Sequence, residues 1–128
     1  MNFVARFCPS KLRLMTSTAV CALIAAGSLI APAAAQDRTA WLKDNETTTM
    51  TGYLLPGENI YGLCDTDCSD MDLFLYNEMG VMVDSNTLDG AFPIVTAPYE
   101  GTFVIEIAVP SCTHGAGCSV SISSDQGF

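Results

Sequence analysis

The stretch Cys64-Asp65-Thr66-Asp67-Cys68-Ser69-Asp70-Met71-Asp72 holds four aspartates within eight residues, and two cysteines enclose the first pair of them. Two chemistries suit these residue types. Carboxylates at this density supply oxygens to a hard cation, and calcium takes about six to eight, with backbone carbonyls and water completing the set. Thiols this close together form a disulfide in an oxidising compartment, or serve zinc where they stay reduced. The glycine and distal glutamate of the helix–loop–helix calcium loop are missing, so calcium would need oxygens from a second segment. Asp84-Ser85-Asn86-Thr87-Leu88-Asp89 is that segment. The expected ligand set is Asp65, Asp67, Asp70, Asp72, Asp84, Asn86 and Asp89, with Asp72 the most firmly fixed because it sits on a strand. The opposing reading is a solvated acidic loop that keeps a sheet edge from pairing.

The elements that would bring the two segments together are two strands and a turn. Met71, Leu73 and Leu75 alternate with Asp72, Phe74 and Tyr76. Large apolar groups on both parities predict a central strand, covered in part on both sides. Asn77-Glu78-Met79-Gly80 reads as a turn with Gly80 in the left-handed conformation. Val81, Met82 and Val83 then return as the partner strand. Antiparallel pairing of the two carries Asp84 and Asn86 back beside Asp70 and Asp72.

Charge and compartment set the next bounds. Residues 1–35 read as a bacterial export signal. Arg6, Lys11 and Arg13 precede an uncharged run from Met15 to Ile30, and Ala33-Ala34-Ala35 puts small residues before a cut at Gln36. That run is 16 residues, shorter than the roughly 20 needed to span a bilayer. Removing 35 of the 128 residues leaves 93, one small domain. Against its 14 acidic residues stand Arg38 and Lys43, a formal charge of −12. A nucleic-acid partner needs a basic footprint and is excluded; an anionic membrane surface is disfavoured after signal cleavage. Metal cations, basic partners and plain solubility all fit. The predicted location is the periplasm or the exterior of the cell.

Cys64, Cys68, Cys112 and Cys118 remain in the domain and are expected to form disulfides. Three pairings are possible. A Cys64–Cys112 link would constrain the unfolded chain more, by about 4 kcal/mol against roughly 2 for each short loop. The local pairs Cys64–Cys68 and Cys112–Cys118 are nevertheless favoured, because they form readily and both loops have turn composition.

The rest of the chain reads as short strands between turn signals. Gln36 to Asn45 is a lead-in with an edge strand, Trp41 covering the core. Thr47 to Leu55 and Asn59 to Leu63 are strands around Pro56-Gly57, with the spacing of a hairpin. Phe92 to Ala97 is stopped by Pro98. Thr102 to Val109 alternates with Phe103, Ile105, Ile107 and Val109 inward, and Pro110 ends it. Cys118 to Ser123 alternates Val120 and Ile122 against serines, and Asp125 to Phe128 is expected to fray. Seven or eight such strands and no helical period predict an all-β, antiparallel β-sandwich over residues 36–128.

The run Asp70 to Tyr76, then Gly80-Val81-Met82-Val83, Asp84-Ser85, Ala97-Pro98 and Gly101-Thr102-Phe103-Val104-Ile105, resembles the bacterial pre-peptidase C-terminal domain. The likeness covers about Met50 to Ile122. It implies a jelly-roll-like sandwich of the kind attached to secreted enzymes, with relatives in collagenases that bind collagen and calcium. With residues 1–35 read as a signal, no catalytic domain is expected ahead of the module, and the two cysteine pairs depart from the general pattern of the family.

Other chemistry is sparse. His114 is the single histidine and sits in a loop without partners of its own segment. No nucleophile elbow, metalloprotease motif, phosphate loop or dinucleotide motif occurs. Trp41, Tyr53, Tyr61, Tyr76 and Tyr99 are read as core and half-buried positions, with a carbohydrate or peptide platform as the functional rival. The expectation is a secreted, non-enzymatic binding or accessory module, calcium-stabilised, for a protein or polysaccharide partner. Its rivals are a ligand-free structural envelope protein and a small hydrolase.

Overall fold

A computed structural model describes residues 38–128, and the expected export signal over residues 1–35 lies outside the described residues. Eight strands follow one another: β1 (Arg38–Leu42), β2 (Glu46–Leu54), β3 (Asn59–Cys64), β4 (Cys68–Asn77), β5 (Met82–Asn86), β6 (Ile94–Thr96), β7 (Gly101–Cys112) and β8 (Cys118–Ser124). They form two four-stranded sheets, β1-β8-β3-β6 and β2-β7-β4-β5, every pair antiparallel. The fold is therefore the antiparallel β-sandwich that the alternation predicts.

The order of pairing is that of a jelly roll. β4 pairs with β5, β3 with β6, β2 with β7 and β1 with β8, so the chain is one long antiparallel ribbon rolled up. The ribbon's tip is the turn after β4. There the Gly80 amide donates to the Asn77 carbonyl at 2.9 Å, and Gly80 has φ of 75°. This is the left-handed residue expected at that position.

The core follows the two-residue period. Met71, Leu73 and Leu75 of β4 and Phe103, Ile105, Ile107 and Val109 of β7 are fully buried against Ile60, Val95, Val120 and Ile122 of the other sheet. Each such side chain contributes about 1.5–3 kcal/mol through burial. The alternate residues Asp72, Phe74 and Tyr76 are half-buried on the outer face of the second sheet.

Four expectations are corrected. β2 and β3 do not form a hairpin. The turn at Pro56-Gly57, with Gly57 at φ 77°, hands the chain from one sheet to the other. Its anchor is Glu58, the one buried polar side chain among the described residues. Its Oε2 accepts from the Leu55 amide at 2.8 Å, and its Oε1 accepts from the Ser124 hydroxyl.

Pro110 does not end β7, which runs on to Cys112. β2 stops pairing at Val109, and the β4–β7 ladder is irregular between the pairs Asp70–Ser111 and Asp72–Ala108. The proline falls in that bulge, where no ladder amide is needed.

The tail does not fray. Asp125 accepts from the Asn59 amide at 3.0 Å and from the Tyr61 hydroxyl at 2.6 Å. The Phe128 ring lies over Gly52, where a Cβ would stand 2.1 Å from it, and the Arg38 guanidinium carbon is 4.7 Å from its centroid. Finally, Trp41 does not cover the core. β1 turns Ala40 and Leu42 inward and leaves Trp41 67 % exposed.

Candidate functional site

Both local disulfides are present, Cys64–Cys68 and Cys112–Cys118. Each spans a crossover, from β3 to β4 and from β7 to β8, so each ties one sheet to the other. Bonds of this kind persist in an oxidising, extracytoplasmic compartment. Among the described residues no helix is long and apolar enough to cross a membrane.

The seven predicted calcium ligands fall in three places. Asp65 faces β8, where its carboxylate accepts from the Ser119 amide at 2.7 Å and from the Asp67 amide at 3.2 Å. Asp67 uses its backbone carbonyl to accept from the Thr113 amide at 2.9 Å. Asp84 faces β6, accepting from the Thr96 amide at 2.7 Å and from the Ser85 amide at 2.9 Å. Beside it the Asn86 side-chain amide donates to the Ile94 carbonyl at 3.1 Å. Asp72 feels two other carboxylates of the set: burial, then Asp70, then Asp89, push its carboxyl above its ordinary value.

The hairpin forms, but its register sets Asp84 opposite Leu75 and Asn86 opposite Leu73. Paired residues share a face, so Asp84 and Asn86 turn to the inner side while Asp72 turns outward. Among the described residues no three acidic, histidine or cysteine side chains converge as a metal site. Asp84 and Asn86 lie on the opposite face of their sheet from Asp72. His114 serves its own turn, its Nδ1 accepting from the Ala116 amide at 3.2 Å.

A different surface gathers recognition chemistry: the outer face of the β1-β8-β3-β6 sheet. Register fixes its rows. Trp41 stands opposite Ser119, Thr39 opposite Ser121 and Ser121 opposite Leu63, while Ser123 pairs with Tyr61 and Tyr61 with Ile94. Val120 and Ile122 point into the core, which obliges the three serines to point out. A depression of about 310 Å³ on this face is lined by Leu63, Cys64, Asp65, Thr66, Ser119 and Ser121.

The result is a column of hydroxyls flanked by an exposed indole on one side and Leu63, Tyr61 and Ile94 on the other. Tyr61 is held by its hydrogen bond to Asp125, which raises the phenol's pKa and lowers that of the carboxyl. Of the five aromatics considered from sequence, Trp41 and Tyr61 share this face. Tyr76 lies on the opposite sheet, and Tyr53 and Tyr99 lie at the end of the sandwich near the β6–β7 turn. The serine column was legible as a polar face of β8; its placement beside Trp41 depends on the β1–β8 pairing, for which the sequence carries no local signal. No protein-family model matches the chain, and no curated protein matches it.

Proposed function

We propose that this protein is an extracytoplasmic, non-enzymatic binding module that holds a polysaccharide on the outer face of its β1-β8-β3-β6 sheet. The observation that carries the reading is Trp41, 67 % exposed on a strand whose neighbours place serine hydroxyls beside it. Leaving an indole in water forgoes a large hydrophobic gain, and exposed aromatics on rigid elements commonly serve contact. A sugar ring offers an apolar C–H face to stack on the indole and hydroxyls to pair with serines, which both donate and accept. The shallow depression suits an extended chain better than a small buried substrate.

The likeness of about Met50 to Ile122 to the pre-peptidase C-terminal domain supports an accessory role, since that family accompanies secreted enzymes. The jelly roll by itself decides nothing, because such folds host many functions. This reading places no role on calcium.

The test is co-sedimentation of the exported, oxidised protein with insoluble glycans such as cellulose, chitin and peptidoglycan sacculi. Trp41→Ala is expected to stay in the supernatant and Trp41→Phe to retain part of the binding. Equal sedimentation of wild type and Trp41→Ala would reject the site.

A further inference from the structure

At the end of the sandwich remote from the disulfides, the β4–β5 turn and the β6–β7 turn flank an open cavity of about 290 Å³. Its lining includes Asn77, Glu78, Met79, Tyr99, Glu100 and Thr102. Three features give it character. The Tyr99 ring is anchored, its centroid 5.3 Å from that of fully buried Phe103. The Glu100 carboxylate is oriented from outside the cavity, because the Tyr53 hydroxyl donates to its Oε1 at 2.5 Å. Glu78 brings a second carboxylate, and Met79 and Tyr99 supply an apolar wall.

No cation of residues 38–128 is placed to neutralise this lining. Lys43 follows β1 at Leu42, which pairs with Cys118, and so lies at the disulfide end. Arg38 gives its guanidinium to the Thr51 carbonyl at 2.5 Å and to the Phe128 ring. An oriented carboxylate beside a fixed aromatic face matches a guanidinium, which pairs with the one and stacks on the other.

We infer that this cavity is a docking site for an arginine side chain of a basic protein partner. The charge of the lining and the cavity's size and aromatic wall select that occupant. Its location on the far end leaves it independent of the Trp41 face, so either site can fail without the other. The domain's formal charge would attract basic chains from a distance, and the cavity would give the encounter a fixed end point.

The experiment follows amide NMR shifts of the exported protein as a Gly-Gly-Arg-Gly-Gly peptide is added, with the citrulline peptide as the neutral isostere. Shifts confined to residues 77–80 and 99–102, absent with citrulline, are expected. Glu100→Gln should weaken binding about two- to fivefold, as for an exposed ion pair. Glu46→Gln removes the same charge at the disulfide end and should leave binding unchanged. An unchanged spectrum away from the cavity would show that Glu100→Gln folds. Equal weakening by both variants, shifts spread over the acidic surface, or equal binding of the citrulline peptide would overturn the inference.

Discussion

Cys68 and Cys112 face each other across the β4–β7 ladder, each the second-sheet end of a disulfide whose other end lies in the first sheet. The two bonds thus stand side by side and staple the same pair of sheets at the same end. Around them, the Ser69 hydroxyl donates to the Ser111 hydroxyl at 2.8 Å, and the Cys112 amide donates to Asp44 at 2.9 Å.

This adjacency predicts non-additive losses. Replacing either cysteine pair by serine should cost about 2 kcal/mol by the chain-entropy estimate, roughly a 10 °C fall in melting temperature for a domain of this size. Replacing both should cost more than the sum, since each bond substitutes for the other in holding the sheets together. Thermal unfolding of the three variants measures this; strict additivity would mean the bonds act independently.

Glu58 is 4 % exposed and satisfies two donors, the Leu55 amide and the Ser124 hydroxyl. Glu58→Ala strands both, and a buried unsatisfied group costs about 1–3 kcal/mol. The urea midpoint should drop accordingly, with Glu58→Gln losing less because it keeps one acceptor. A Glu58→Ala midpoint equal to wild type would remove Glu58 as the anchor between β2 and β3.

Two aspartates make opposite contributions to stability against pH. The Tyr61 hydroxyl, foremost, and the Asn59 amide lower the Asp125 pKa from 3.8. The stability it adds is complete above that value and is lost as pH falls through the lower folded value. Asp72 is raised above 3.8. Its folded form binds protons more readily, so its ionisation removes stability as pH rises through the raised value. Asp72→Asn should therefore melt slightly higher at neutral pH, by about 2 °C, the scale of a surface change. Asp125→Asn should melt lower at neutral pH, with the difference closing in acid. Melting curves from pH 3 to pH 7 check both signs.

Calcium gives a further expectation. With Asp65 and Asp84 accepting from backbone amides, and Asp84 on the opposite face from Asp72, millimolar calcium should stabilise the protein no more than sodium chloride of equal ionic strength. A calcium-specific gain of about 2.7 kcal/mol at a hundredfold excess over the dissociation constant, abolished in Asp72→Ala, would contradict this.

Much of the fold was legible because β4, β7 and β8 alternate cleanly and their inward residues are fully buried. The disulfides followed from loop composition. Three features were hidden, each for a physical reason. Pro56-Gly57 breaks a strand whether the chain returns beside it or crosses to the other sheet, so the β2–β3 hairpin was a fair but wrong inference. Tail residue Asp125 finds Asn59 and Tyr61 across the domain, which no local pattern announces. β1 has only five residues and one parity apolar through Ala40 and Leu42. The bulk of Trp41 argued for the inside, while pairing with β8 put it outside. The expected meeting of Asp84 and Asn86 with Asp72 missed by one step of register: the strands pair as predicted, but Asp84 and Asn86 oppose inward leucines, not Asp72.

The most direct measurement of the binding reading uses the fact that Trp41 is the single tryptophan of the chain. Its fluorescence should be that of a water-exposed indole and should shift to the blue, saturably, as a soluble oligosaccharide of the bound glycan is titrated in. Ser121→Ala should weaken that titration while leaving the starting spectrum unchanged. A spectrum already blue-shifted without ligand, or one that stays unmoved by any oligosaccharide of a glycan that sediments the protein, would contradict the assignment of this face.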